Sequence, residues 1–168
     1  MLTIFDVTKI NMLNSPDIPL GKRLGHIAKK YVGIMYKSLN HLDIGTNFIV
    51  LILINKTNNT LTQQELADSC GMDKTNMLRA IDQLEEKGLV ERQQKPEDRR
   101  AYVIALTQQG KKIIPVISKS FRVLNNKALE GISETQINSF YKTLDMIAEN
   151  IASLPAEDVM VSLKKTKK

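Results

Sequence analysis

The stretch that decides the fold is LTQQELADSCGMDKTNMLRAIDQLEEKGLVERQQKPEDRRAYVIALT, residues 61–107. It contains two short amphipathic helical patterns separated by a glycine turn, then two strand-like runs that flank a charged segment. Two helices joined by a tight glycine turn are the layout of a helix-turn-helix. The two runs after them add a β-hairpin, so the order predicts a winged helix-turn-helix.

Local signals indicate where the two helices begin and end. Thr62 and Glu65 form a capping box, in which a hydroxyl and a carboxylate satisfy exposed N–H groups reciprocally. Gly71 can adopt the left-handed conformation that ends the first helix. Asp73 caps the second helix and Gly88 ends it. The core-facing residues predicted for the second helix are Met77, Ala80, Ile81 and Leu84.

The wing is predicted from the runs that follow Gly88. Leu89–Gln93 and Ala101–Leu106 have the composition of paired strands, and the charged segment Lys95–Arg100 between them is predicted to be a solvated loop. Thr107 then caps a long helix that we expect to continue to Leu129, with a kink or local opening at Pro115.

Helical patterns flank the winged segment. From Leu24 to Leu42 apolar residues recur at about 3.6 residues, the helical period. The run NFIVLILIN, residues 47–55, fits a strand or a buried helix, and its position before a helix-turn-helix favours a helix. A second capping box at Ser133–Gln136 opens the last helix, which Leu154 and Pro155 end.

These patterns predict one domain, residues 1–168, that is mainly α with a small β-wing. The winged helix-turn-helix occupies residues 43–107, flanked by dimerisation helices at 15–42 and 108–154. The flanking helices carry apolar stripes with no further globular domain to cover them, as an intertwined homodimer requires. A monomeric helical bundle is the alternative. Residues 1–14 fit either an arm on a partner subunit or a disordered end.

Composition narrows the class of protein. No run approaches the ~18 apolar residues of a membrane span, the N-terminus has no signal-peptide pattern, and a single cysteine, Cys70, is consistent with the reducing cytoplasm. The net charge is +6, yet residues 62–112 carry nine Lys/Arg and nine Asp/Glu. Binding of nucleic acid therefore depends on how these charges are sorted in space rather than on their sum.

No catalytic pattern accompanies the winged segment. The sequence has no metal-ligand spacing, no phosphate-binding glycine loop and no nucleophile–base pattern, so we expect neither an enzyme nor a cofactor or metal. Two binding functions stay open: duplex DNA recognition, and a winged helix used for protein–protein assembly without specific DNA binding. The neutral charge of the winged segment keeps the second alternative in view.

Over residues 43–112 the sequence resembles the MarR family of winged helix-turn-helix transcriptional regulators. The resemblance rests on LTQQELADSCGMDKTNMLRAIDQLEEKGLVER, residues 61–92, and on EDRRAYVIALTQQGKK, residues 97–112, the more diagnostic part. Chain length and helix order extend it to nearly the whole chain. It implies a homodimer in which each winged domain reads a half-site of a palindromic operator in double-stranded DNA, most often as a repressor.

The resemblance also implies which residues contact DNA. The helix after Asp73 enters the major groove, and the matching base- and phosphate-contacting positions are Lys74, Thr75, Asn76 and Arg79. Their chemistry agrees, since Asn can pair with adenine and Arg with guanine. At the wing, Arg100 matches an arginine that enters the minor groove, Asp98 an aspartate that orients it, and Arg99 is a candidate for phosphate. Arg92 is a further candidate for the DNA backbone. For each residue the alternative is a solvated side chain.

One position departs from the family. Leu78 stands where many members carry Thr or Ser, which indicates either an unusual operator or a packing role. Many members also release DNA when a small apolar or aromatic effector enters a cleft between the dimerisation helices and the winged domain. The residues that match this cleft are His26, Tyr31, Met35, His41 and Ile113. Cys70 has no resolving cysteine in the chain, so we expect a packed thiol rather than a redox switch.

Overall fold

The computed structural model describes residues 18–95 and 98–155. For residues 98–100 it describes the backbone only. The elements are α1 (Leu20–Ser38), a 3-10 turn (Asn40–Leu42), α2 (Phe48–Lys56), α3 (Gln63–Cys70), α4 (Lys74–Glu86), β1 (Val90–Lys95), β2 (Asp98–Leu106), α5 (Gln108–Ala128) and α6 (Glu134–Ala152). The mainly α fold with a small β-wing is thereby confirmed. The interpretation of residues 1–14 and the predicted start of the first dimerisation helix at residue 15 lie outside the described residues.

The chain divides into two compact units, one ending at Leu124 and one beginning at Asn125. The first unit has one apolar core, to which α1, α2, α3, α4, both strands and α5 contribute. Its largest fully buried side chains are Phe48, Met35, Leu39, Ile44, Leu51, Ile54, Leu66, Met77, Ile81, Leu84, Ile104 and Ile117. The division into a winged domain and dimerisation helices stays a prediction.

The ambiguous run at residues 47–55 is helical. α2 buries Phe48, Val50, Leu51 and Ile54, and it contacts both α3 and β2. A nine-residue helix that is apolar nearly all round has no polar stripe to reveal its period, which is why the pattern alone left a strand open. Burial on most sides, rather than sequence periodicity, selects the helix.

The two strands form an antiparallel sheet that is longer than predicted. Val90 pairs with Leu106 and the regular register continues to Gln94 opposite Tyr102, after which Lys95 pairs with Asp98. The expected loop Lys95–Arg100 is therefore wrong at both ends, because β1 extends to Lys95 and β2 begins at Asp98. The register shift next to Lys95 is typical of a β-bulge.

The helices after the wing begin at the predicted caps. The hydroxyl of Thr107 accepts the N–H of Gly110 at 3.0 Å, and α5 then runs uninterrupted through Pro115 to Ala128. In the second unit, Ser133 and Gln136 form the predicted capping box of α6. No residue of α6 is fully buried, although its sequence is amphipathic.

Candidate nucleic-acid interface

Local features of the sequence set both ends of α3, the first helix of the helix-turn-helix. The carboxylate of Glu65 accepts the N–H of Thr62 at 2.7 Å, and this bond, with that from the Thr62 hydroxyl, holds the pKa of Glu65 below its usual value. Gly71 ends α3 with φ of 61°, a left-handed conformation that glycine adopts without steric cost. Both helix boundaries agree with the sequence prediction.

α4 separates into a buried and an exposed face. Met77, Ala80, Ile81 and Leu84 are all buried, as predicted. The four residues of α4 that match DNA-contacting positions are all exposed: Lys74, Thr75, Asn76 and Arg79. They cluster in its first two turns, where the N-terminal end of the helix dipole favours a negatively charged partner.

The cap of α4 also holds Asn76. Asp73 Oδ1 accepts the backbone N–H of Asn76 at 2.8 Å, and Asp73 Oδ2 accepts from the Asn76 side-chain amide. The backbone hydrogen bond is the main cause of a lowered pKa at Asp73, and the nearby charge of Arg79 lowers it further. The Asn76 amide is thus oriented before any ligand arrives, with its carbonyl oxygen still able to accept.

Arg92 joins the wing to α4, a contact that the sequence did not reveal. From β1, its guanidinium reaches Asp82 with Nη2 at 2.6 Å from Oδ1, and it pairs with Glu85 through Nη1. Both carboxylates lie on the same flank of α4, since their spacing of three residues is one helical turn. Arg92 therefore neutralises two acidic groups beside the helix rather than pointing freely away from the protein.

A second set of contacts anchors another flank of the C-terminal half of α4. Lys87, just after the helix, pairs with Asp43, and the Asn47 side chain donates to Gln83 Oε1 at 3.2 Å. Asp43 ends the 3-10 turn and Asn47 precedes α2. Polar contacts from the segment before α2 and from the wing thus fix the orientation of α4, in addition to its buried face.

The wing residues predicted to contact DNA lie at the start of β2. Asp98, Arg99 and Arg100 have strand backbone, and Arg99 and Arg100 fall between the pairing positions of Asp98 and Tyr102. Their side chains lie outside the described part of the structure, so the role of Arg100 in the minor groove and that of Asp98 in orienting it stay predictions. Tyr102, next in the strand after Ala101, is exposed, and it borders a depression of about 390 Å³ together with Lys74 and Thr62.

The five residues predicted to line an effector cleft are spread over α1, the 3-10 turn and α5. Met35 is fully buried in the core, and Tyr31 and Ile113 are partly buried against that core. The Tyr31 ring stacks on Phe121 with centroids 6.4 Å apart. His26 is half-buried, and His41 is exposed on the 3-10 turn. Tyr31, Met35 and Ile113 thus share one core, while the effector role of all five stays a prediction.

Cys70 lies at the end of α3, partly buried against the core. Desolvation raises the pKa of its thiol, which reduces the thiolate fraction at neutral pH. Among the described residues no three His, Cys, Asp or Glu side chains are grouped as metal ligands. None of the described helices is long and apolar enough to cross a membrane.

A helix-turn-helix followed directly by a two-stranded hairpin defines the winged helix-turn-helix class of proteins. Comparison with known proteins identifies the family within that class. A family model described as MarR matches residues 46–102. A crystal structure of MarR is 30% identical, with 82% of this chain and 94% of that one covered and a TM-score of 0.72.

Two further solved structures agree. The transcriptional regulator SlyA is 26% identical, with 80% of this chain and 95% of that one covered and a TM-score of 0.75. A MarR family protein from Listeria monocytogenes, complexed with 26mer DNA, is 28% identical, with coverage of 80% and 90% and a TM-score of 0.75. The chain belongs to the MarR family and has the fold of its DNA-binding transcriptional regulators.

Proposed function

We propose that this protein is a sequence-specific regulator of transcription that binds a palindromic operator as a homodimer. The observation that carries the proposal is the division of α4 into two faces. Its apolar face is buried, and its first two turns expose four polar residues: Lys74, Thr75, Asn76 and Arg79. Such a helix end can enter the major groove and present amide, guanidinium and ammonium groups to base edges and phosphates. The relative in complex with 26mer DNA supports the same use of the fold.

Base recognition is assigned to Asn76 and Arg79. The hydrogen bond to Asp73 orients the side-chain amide of Asn76. A bidentate contact to adenine therefore requires only that this amide exchange its hydrogen bond to Asp73 for one to the base. Arg79 and Lys74 form no ion pair with the described residues, which leaves both cations available for guanine or phosphate. At the wing, Arg100 enters the minor groove, Asp98 orients it and Arg99 contacts phosphate, as the family resemblance implies.

Exposed apolar side chains on α1 and α6 support the homodimer. On α1, Leu20, Ile27 and Ile34 are exposed, and on α6, Phe140 and Ile151 are exposed. A second copy can cover such faces and presents a second α4, which matches the symmetry of a palindrome. Two winged domains acting on one site then supply the affinity that a single neutral domain does not.

The last part of the proposal is that the protein represses transcription and that a bound effector releases it from DNA. The effector would be a small apolar or aromatic molecule that enters beside Tyr31, Met35 and Ile113, where the Tyr31 and Phe121 rings already offer aromatic surface. A screen of small phenols for release of bound DNA tests this part. A compound that releases wild-type protein from DNA and fails with Tyr31→Ala supports it, and release unaffected by that variant excludes this position.

Binding is best tested by selecting bound fragments from genomic DNA and measuring affinity for the recovered duplex. Asn76→Ala and Arg79→Ala should each weaken binding by about 5- to 150-fold, the range of one lost base contact of 1–3 kcal/mol. Glu86→Ala is the matched control, because Glu86 is an exposed residue of the last turn of the same helix. It should bind as the wild type does.

Salt dependence separates this proposal from a protein–protein module. Phosphate contacts release counterions, so the affinity for the selected duplex should fall steeply as salt rises. A protein that recovers no common sequence, or whose affinity is unchanged by both substitutions in α4, would not be a DNA regulator of this kind. Assembly through the winged domain without DNA would then be the better interpretation.

A further inference from the structure

Leu78 is the one exposed apolar residue of α4, all of whose residues the structure describes. Its side chain is 42% exposed. The other apolar residues of the helix, Met77, Ala80, Ile81 and Leu84, are buried, and the remaining ones are polar or charged. Leu78 therefore does not belong to the buried core, and part of its apolar side chain lies on the outward surface.

The neighbours of Leu78 place it beside the predicted DNA contacts. Residues three and four positions apart share a helix face, so Lys74 and Thr75 precede Leu78 on its face and Asp82 follows it. All three are exposed. Leu78 is thus an apolar group among exposed polar neighbours on its helix face.

The charges next to Leu78 are arranged to admit DNA. Asp82 and Glu85 follow Leu78 at four and seven positions, and both carboxylates are paired with Arg92. Two unpaired carboxylates there would repel phosphates and would favour cytosine amino groups as partners. With both neutralised by the wing, the flank that holds Leu78 can approach the base pairs.

The major groove offers one apolar group to such a side chain. Thymine carries a C5 methyl group there, and the other exposed atoms on the base edges are chiefly hydrogen-bond donors and acceptors. We propose that Leu78 is a specificity-determining residue that recognises a thymine through this methyl group. The proposal rests on the proposed function, because it requires α4 to lie in the major groove.

Replacement of single thymines by deoxyuridine tests the contact, since deoxyuridine lacks only the methyl group. The duplex is the one selected by the wild-type protein, and each thymine is replaced in turn. Replacement at one thymine position should weaken wild-type binding about fourfold. This is the affinity that the burial of one methyl group contributes. Leu78→Ala should bind the thymine and deoxyuridine duplexes equally at that position.

Two further variants control the experiment. Leu78→Met keeps an apolar side chain of similar volume and should retain discrimination against deoxyuridine. Ile49→Ala removes an apolar side chain of α2 that is 43% exposed, and it should discriminate as the wild type does. Circular dichroism melts of each variant confirm that folded proteins are compared.

The outcomes distinguish this inference from the function on which it rests. If the wild-type protein binds its selected duplex but no thymine methyl group matters, or if Leu78→Ala discriminates as strongly as the wild type, the role of Leu78 is refuted and the DNA-binding function stands. If the wild-type protein selects no duplex at all, the proposed function fails and the role of Leu78 fails with it.

Discussion

We expect Arg92 to support DNA binding through its ion pairs with α4 rather than through contact with DNA. Its guanidinium pairs with Asp82 and Glu85, whose side chains are partly exposed, so each pair contributes only about 0.2–1 kcal/mol to stability. The larger effect is electrostatic: loss of Arg92 leaves two carboxylates beside Leu78 and near the phosphates of a bound duplex.

We therefore expect Arg92→Gln to weaken DNA binding more than it lowers the free energy of unfolding. The triple variant Arg92→Gln, Asp82→Asn, Glu85→Gln removes the repelling charges together with Arg92 and should recover most of the affinity. Fluorescence anisotropy on the selected duplex and urea unfolding measure the two effects. If Arg92 instead contacts a phosphate directly, the triple variant stays weak and its salt slope falls by about one.

Asp73 gives the second prediction at the scale of a residue. Its pKa in the folded protein is lowered, so the stabilisation from its charged form is present above the ordinary value of 3.8 and is lost as pH falls through the lowered value. Asp73→Ser keeps a capping oxygen but has no charge to lose. Above pH 5 the wild type should be the more stable protein, and the difference should shrink as the solution is acidified.

Urea unfolding of both proteins at a series of pH values checks this behaviour. Glu65, whose pKa is also lowered, is present in both proteins. It therefore contributes equally to the loss of stability of both proteins at acidic pH. A stability difference that does not vary with pH would mean that the Asp73 charge makes no contribution to the cap.

Among the elements, α4, β1 and α5 meet at a junction with a close backbone contact. The backbone N–H of Thr107 donates to the Leu89 carbonyl oxygen at 3.1 Å, and the Thr107 hydroxyl donates to that of Gly88 at 2.6 Å. A Cβ added at Gly110 would lie 2.0 Å from the same Leu89 oxygen. The first turn of α5 can approach β1 this closely only because residue 110 is glycine.

Gly110→Ala should therefore cost about 3 kcal/mol of unfolding free energy or more, since a backbone atom must move to accept the methyl group. Gly25→Ala in α1 is the control, because no atom lies within 4 Å of its added Cβ. There alanine should stabilise the helix by about 0.5–1 kcal/mol, since it loses less conformational freedom on folding. Equal stability of the two variants would contradict the close contact.

The elements also show where sequence reasoning succeeds. The caps at Thr62, Asp73, Thr107 and Ser133 each follow from residues within three positions of one another, so local physics predicts them. The buried face of α4 follows from its periodicity in the same way. The MarR resemblance added the matching DNA-contacting positions.

What the sequence did not predict depends on the packing of separate elements. Arg92 reaches residues seven and ten positions away, and Lys87 reaches Asp43 across 44. No spacing rule covers such pairs, because their meeting depends on how β1 and the segment before α2 lie against α4. The wing was predicted too short for a related reason: its charged residues suggested a loop, but Lys95 and Asp98 pair between the two strands.

At the scale of the whole molecule, α6 carries an apolar stripe that its own unit leaves partly exposed. Phe140 and Ile151 are exposed, and Ile137, Leu144 and Ile147 between and beside them are only partly buried. Their spacing of three and four residues makes one apolar stripe along the helix. An isolated helix of 19 residues with such a stripe gains little stability from its own hydrogen bonds, so a covering surface must stabilise it.

We expect that surface to belong to a second copy of the chain, so that two 18.9 kDa chains sediment together. Phe140→Glu combined with Ile151→Glu should shift the sedimentation equilibrium towards the monomer, because two charges would be buried without partners in the dimer interface. Lys142→Glu changes the charge of an exposed residue off the stripe on the same helix and should stay dimeric. A wild-type protein that sediments as a monomer at micromolar concentration would contradict the homodimer.

The same variants connect the dimer to DNA recognition. In the proposed dimer, two α4 helices would read two half-sites at a fixed spacing, so the wild-type affinity should fall when base pairs are inserted between the half-sites. The doubly substituted monomer should bind more weakly and should be indifferent to the insertion, because each half-site is then bound separately. A monomer that keeps the wild-type dependence on spacing would mean that the two half-sites are coupled through the DNA rather than through these helices.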